Sequence, residues 1–100
     1  MMRESTTYDE VYHLLVSLCE RQEELSTAAH LRVMEAFNTF MEATYATPMV
    51  GPTVPGPLAE LLQQSRVGLR ELSDRAPDLP RAVMYTHAEE QLRAAVGELG

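Results

Sequence analysis

The stretch that decides how this chain folds is residues 48–57, which read Pro-Met-Val-Gly-Pro-Thr-Val-Pro-Gly-Pro. Its four prolines and two glycines exclude a helix here, because proline lacks the amide donor that a helix needs and has a fixed φ. Such a composition favours extended, polyproline-like chain. Together with Thr47 it forms a predicted linker, residues 47–57. At about 3.1 Å per residue, this linker spans on the order of 30 Å, enough to cross a helical bundle from end to end.

Before the linker, the hydrophobic pattern predicts two helices. Apolar residues from Val11 to Leu25 fall on one face of a first helix that covers about residues 8–24. Ser26 or Thr27 provides the N-cap of a second helix that continues to about Tyr45. Because only a tight turn fits between them, residues 8–45 are predicted to form an antiparallel helical hairpin.

After the linker, the sequence predicts a second helical hairpin, residues 57–99. Pro57 suits the first position of a third helix, whose leucines share one face. Residues 76–80, Ala-Pro-Asp-Leu-Pro, end that helix and begin a fourth one, which continues to about Leu99. The predicted fold is therefore all-α: a small four-helix bundle, made of two antiparallel hairpins joined by a Pro/Gly-rich crossover, in a single domain of residues 1–100.

The charge and cysteine content limit the partners and the compartment that we expect. Fifteen acidic residues, eight arginines and no lysine give a net charge of -7, which argues against binding nucleic acid through its phosphates. Cys19 is the single cysteine and forms no internal disulfide. No apolar run has the length of a signal peptide or of a membrane span. We expect a soluble, cytoplasmic protein that binds neither nucleic acid nor membrane.

The second helix has an unusually wide apolar arc, and this arc is the basis of the predicted function. Met34, Phe37 and Met41 form its centre, while Val33 and Phe40 extend it on one side. A helix this apolar needs more than one neighbour. The sequence therefore predicts a helical interaction or regulatory module that self-associates as a homo-oligomer or binds another helical protein. The predicted interface residues are Val33, Met34, Phe37, Phe40 and Met41.

No residue pattern in the chain indicates catalysis. Cys19 has no histidine at helical spacing, and no serine follows the pattern of a nucleophile elbow. The glycines of the linker lie among prolines, which lack the amide donors of a phosphate-binding loop. We therefore predict neither an enzyme nor a bound cofactor or metal.

Polar residues in apolar stripes provide an alternative function, a small-molecule or metal site. His30 and Asn38 lie within the apolar stripe of the second helix, and Glu23 precedes that helix. Since buried polar groups need partners, His30 either bonds a carboxylate or backbone group or contributes to a ligand site with Asn38 and Glu23. A second pair, His87 and Glu90, has the three-residue spacing that places both on one side of the fourth helix.

One short motif implies a second alternative. Tyr85-Thr-His-Ala-Glu89 fits a Tyr-x-x-x-Asp/Glu signal. In this motif and in length, the chain resembles the small helical-hairpin proteins that Gram-positive and actinobacterial type VII systems secrete. It departs from them because it has no tryptophan for their Trp-x-Gly turn, and a Pro-rich crossover replaces that turn. The resemblance implies a secreted helical protein.

Overall fold

Four α-helices make up most of the part of the chain that the structure describes, which is residues 8–21, 23–43 and 54–98 of a computed structural model. They are α1 (Tyr8–Cys19), α2 (Thr27–Ala43), α3 (Leu58–Asp74) and α4 (Leu79–Glu98). These ranges contain no strand, and the predicted all-α helical bundle is confirmed. None of these four helices is both long enough and apolar enough to cross a membrane. That residues 1–100 form one domain stays a prediction.

The beginnings of three helices lie within one residue of their predicted positions. Ser26 Oγ accepts a hydrogen bond from the Ala29 amide at 3.1 Å, so Ser26 is the N-cap of α2. Asp78 Oδ1 accepts one from the Arg81 amide at 2.9 Å and caps α4 in the same way. Pro57 occupies the N-cap of α3 rather than its first helical position.

The first helix is shorter than predicted, because it ends at Cys19 rather than near residue 24. Glu20, Glu23 and Glu24 follow it, and their negative charges are unfavourable beside the negative end of the helix dipole. The chain turns instead, with the Arg21 amide donating to the Leu18 carbonyl at 3.1 Å. The second helix ends at Ala43, and the predicted end at Tyr45 lies outside the described residues.

The helices of each hairpin are antiparallel. In the first hairpin, the His30 Nε2–H group donates to the Cys19 carbonyl at 3.0 Å, and farther along the Tyr12 and Phe37 ring centroids lie 5.8 Å apart. In the second, the side chains of Ser73 in α3 and Thr86 in α4 are joined by a hydrogen bond of 2.8 Å. The two hairpins pack together through α2 against α4 and α1 against α3.

The crossover joins opposite ends of the bundle. Its last residues lie against the end of α1: the Val54 amide donates to Ser17 Oγ at 2.7 Å, and Arg21 Nη1 donates to the Gly56 carbonyl at 2.6 Å. Since α2 begins at this same end, its last residue, Ala43, lies at the other. A helix of 17 residues is roughly 25 Å long, which is within the predicted reach of the linker. Residues 47–53 of that linker lie outside the described residues.

These contacts also bury Ser17. Its hydroxyl is hydrogen-bonded both as acceptor and as donor, because it accepts from the Val54 amide and donates to the His13 carbonyl at 2.7 Å. The hydrophobic pattern of a helix cannot predict that one of its serines is buried by a distant part of the chain.

The core contains the predicted leucines of α1 and α3, but α2 contributes a different face from the predicted one. Its core side is lined mainly by alanines, which allow α2 and α4 to approach closely. Phe40 fills the space between them and packs against Tyr85, with ring centroids 6.1 Å apart. The buried residues of α2 are Ala29, Val33, Ala36, Phe40 and Ala43.

Candidate functional site: the outer face of the second helix

Two of the five predicted interface residues belong to the core. Val33 and Phe40 are both 0% exposed within the folded chain. They share a face with Ala29 and Ala36, and this face points between the other helices. No partner can reach either side chain in this fold, which corrects their assignment to an interface surface.

The other three predicted residues lie progressively farther from the core. Phe37 and Met41 are half-buried and pack against it, and the Phe37 ring contacts Tyr12 of α1. Met34 is 42% exposed. Leu31 is 56% exposed and lies one turn before Met34.

We call the solvent-facing side of this helix the α2 face. At about 100° per residue, most of its members lie opposite Val33 and Phe40, Met34 lies at its edge, and all of them are exposed. It combines two large apolar side chains with two carboxylates and one amide. The α2 face consists of Leu31, Met34, Glu35, Asn38 and Glu42.

A shallow depression of about 300 Å³ adjoins the α2 face, where α2 lies beside the end of α4. Ala28 and Leu31 provide its apolar lining, and Arg32, Glu35 and Glu98 provide its charges. Arg32 Nη1 lies 3.4 Å from Glu35 Oε1, and both side chains are about half exposed. Such a pair is worth well under about 1 kcal/mol, so it is easily exchanged for contacts with a partner.

The predicted ligand residues His30, Asn38 and Glu23 are not brought together around one site. His30 is hydrogen-bonded to the Cys19 backbone carbonyl. This matches the first of its two predicted roles, a bond to a carboxylate or backbone group. Asn38 is exposed two turns farther along α2, an axial rise of about 12 Å, and Glu23 is exposed in the preceding turn. Among the described residues, no group of three His, Cys, Asp or Glu side chains is placed to hold a metal ion.

His87 and Glu90, by contrast, line one open depression of about 370 Å³ on the outer side of α4. Leu79 and Val83 line it too, and they are 75% and 57% exposed. This apolar pair was not among the predicted site residues, although its four-residue spacing places both residues on one side of α4, away from Tyr85.

The two residues of the secretion-like motif are buried. Tyr85 packs in the core, and Glu89 is buried at the contact between α3 and α4. Arg66 Nε donates to Glu89 Oε2 at 2.9 Å, and Arg70 Nη2 lies 3.9 Å from the same oxygen. Both side chains therefore hold helices together in this fold.

Cys19 is held as a neutral thiol. Burial of this half-buried side chain, and then the nearby charge of Glu20, raise its pKa to about 11. Since the thiolate is the nucleophilic form, Cys19 is unreactive near pH 7.

Comparison with known proteins gives no match to a family model, to a curated protein or to a solved structure. A function is therefore inferred from the residues of this chain and from their arrangement.

Proposed function

We propose that this chain is a non-enzymatic helical interaction module that binds another protein through the α2 face. The observation that carries the proposal is the exposure of Leu31 and Met34, one turn apart, on a helix whose core side is already filled. A contiguous apolar patch that stays exposed to solvent marks an interaction site, and methionine adapts to partners of different shape. A partner helix docks on such a surface through residues spaced three or four apart.

The apolar contacts supply part of the free energy of a reversible association, and contacts with the surrounding charged side chains must supply the rest. Complete burial of a leucine or methionine side chain contributes about 1.5–3 kcal/mol. Leu31 and Met34 are already partly covered, so together they supply on the order of 3 kcal/mol. The partner is a helix of a second copy or of a different protein. We place this activity in the cytoplasm, where a free, half-buried thiol such as Cys19 stays reduced.

Site-specific photo-crosslinking tests this proposal. A photoreactive amino acid replaces Met34 in one version of the full chain and Val67 in another, and both are expressed in the native host. Val67 is a matched control, because it is also 42% exposed but lies on the outer side of α3. We expect a protein adduct from position 34 and none from position 67, and the adduct mass distinguishes a second 11.2 kDa copy from a different protein. Absence of an adduct at 34, or equal adducts at both positions, contradicts the proposal.

A second candidate function is a small-ligand or metal site at the depression on α4. The observation that favours it is that His87 and Glu90, an imidazole and a carboxylate, line the same depression. Zn²⁺ titration followed by the ring resonances of His87 tests it. A saturable shift that disappears in His87→Ala supports a metal site, and unchanged resonances at millimolar Zn²⁺ exclude one.

A further inference from the structure

Carboxylates border the apolar part of the α2 face. Glu35 and Glu42 lie along its edge toward α4, and Glu98 lies across the depression from Leu31. Arg32 is the cation that lines this depression, and it pairs with Glu35 at 3.4 Å. Within the described residues, Glu98 forms no ion pair. The apolar surface is therefore framed by more negative than positive charge.

The neighbouring end of the bundle adds to this negative potential. Glu20, Glu23 and Glu24 occupy the turn that leads into α2, and all three are exposed. Arg21, in the same turn, donates to the Gly56 carbonyl and lies 3.7 Å from Glu24, so its charge is already engaged. With a net charge of -7 on the whole chain, this end attracts cations and repels anions.

Resting on the proposed function, we infer that the partner of the α2 face is a basic amphipathic helix. One of its large apolar side chains enters the depression beside Leu31, and another covers Met34. Lysine or arginine side chains on its flanks reach Glu35 and Glu98, whose carboxylates frame this depression.

A second copy of this chain has the wrong charge for the same position. It would bring Glu35 and Glu42 of its own against the same two residues, together with another net charge of -7. Like charges placed face to face across an interface are unfavourable. The complementarity therefore favours a different protein, one whose helix is positively charged.

Two synthetic peptides of about 18 residues, or five helical turns, provide the test. Both carry leucines at the same amphipathic spacing, and the remaining positions are lysine in one peptide and glutamate in the other. We expect the lysine peptide to bind the full chain at least about tenfold more tightly, by fluorescence anisotropy, because it pairs with the carboxylates. Its affinity should fall as NaCl is raised from about 0.05 M to about 0.5 M, since salt screens exposed charges.

Variants of the full chain locate the binding surface. Leu31→Ser with Met34→Ser removes the apolar contacts, and we expect the lysine peptide to bind at least about tenfold less tightly. Glu35→Gln with Glu98→Gln removes two carboxylates, with an expected loss of about fivefold. The matched control is Val67→Ser with Glu60→Gln on α3, expected to change affinity less than about twofold. All six side chains are exposed, so circular dichroism should report an unchanged fold.

The outcomes distinguish the proposed function of the α2 face from the inference that its partner is a basic helix. Equal binding of both peptides that is lost in the Leu31/Met34 variant overturns the inference about charge and leaves the proposed function standing. Tight lysine-peptide binding that only the α3 control reduces, or that no variant reduces, overturns both. Failure of the lysine peptide to bind, or dimerisation of the chain through the α2 face, overturns the inference.

Discussion

We expect the Cys19 thiol to react slowly with alkylating reagents, because it is half-buried at the end of α1. Burial and the charge of Glu20 raise the pKa of the thiol from 9.0 to about 11, so very little thiolate exists near neutral pH. At pH 8, we predict that iodoacetamide alkylates the folded chain roughly a hundredfold more slowly than the chain unfolded in urea. Mass spectrometry of quenched samples measures both rates. Equal rates would show that the thiol is not protected.

Glu89 forms an ion pair that joins α3 and α4. Its carboxylate is almost buried and accepts a 2.9 Å hydrogen bond from Arg66. Glu89→Ala leaves the Arg66 guanidinium without this partner, and we predict a loss of about 2 kcal/mol in the free energy of unfolding. Arg70→Ala is the control, because Arg70 is largely exposed and keeps the main pair intact. Urea denaturation compares them, and equal losses would contradict this assignment.

Arg21 holds the stretch of chain that precedes the third helix. Its guanidinium donates to the carbonyl of Gly56 at 2.6 Å and to that of Val54 at 3.4 Å, so it holds the chain that enters α3. The φ of Gly56 is 131°, a region that favours glycine. We predict that Arg21→Ala lowers the free energy of unfolding by about 1–2 kcal/mol.

The control for this prediction is Arg93→Ala on the exposed side of α4, with an expected change below about 0.5 kcal/mol. Thermal or urea unfolding is a suitable measurement. An equal loss in the free energy of unfolding for both variants would show that the contacts of Arg21 with the crossover do not stabilise the fold.

The second helix has one face for the core and another for solvent, and two substitutions separate them. Phe40→Ala removes a side chain that is fully buried against Tyr85, and we predict a loss of about 3–5 kcal/mol. Met34→Ala changes an exposed side chain and should cost less than about 0.5 kcal/mol. Urea denaturation of the two variants checks this order. The reverse order would place Phe40 on the surface.

Local signals predicted the helices well and the orientation of α2 poorly. Ser26 and Asp78 hydrogen-bond to backbone amides within three residues, so their caps can be recognised from sequence alone. The orientation of α2 depends instead on Ala29 and Ala36, which are buried because α4 approaches closely. Alanine has little weight in a hydrophobic pattern, so the pattern pointed to the larger Met34.

The composition and the linker predicted a helical bundle with a crossover between its two hairpins. The surface sites, by contrast, depend on contacts between segments that are distant in the sequence. The burial of Ser17 by Val54 joins residues that are 37 positions apart. The depression beside Leu31 needs Glu98 from the far end of the chain. The burial of two of the five predicted interface residues, Val33 and Phe40, and the carboxylates near the exposed ones depend on α2 and α4 lying side by side.

The net charge of -7 and the carboxylates around Leu31 both favour a positively charged partner. Mapping of backbone amide shifts on the ¹⁵N-labelled chain, during titration with the lysine peptide, shows where on the surface the peptide binds. We predict that the perturbed amides follow α2 from Ala28 to Glu42 and include the end of α4 near Glu98. Perturbations confined to the depression between Leu79 and Glu90, or absent at saturating peptide, would contradict the assignment of the α2 face as the binding surface.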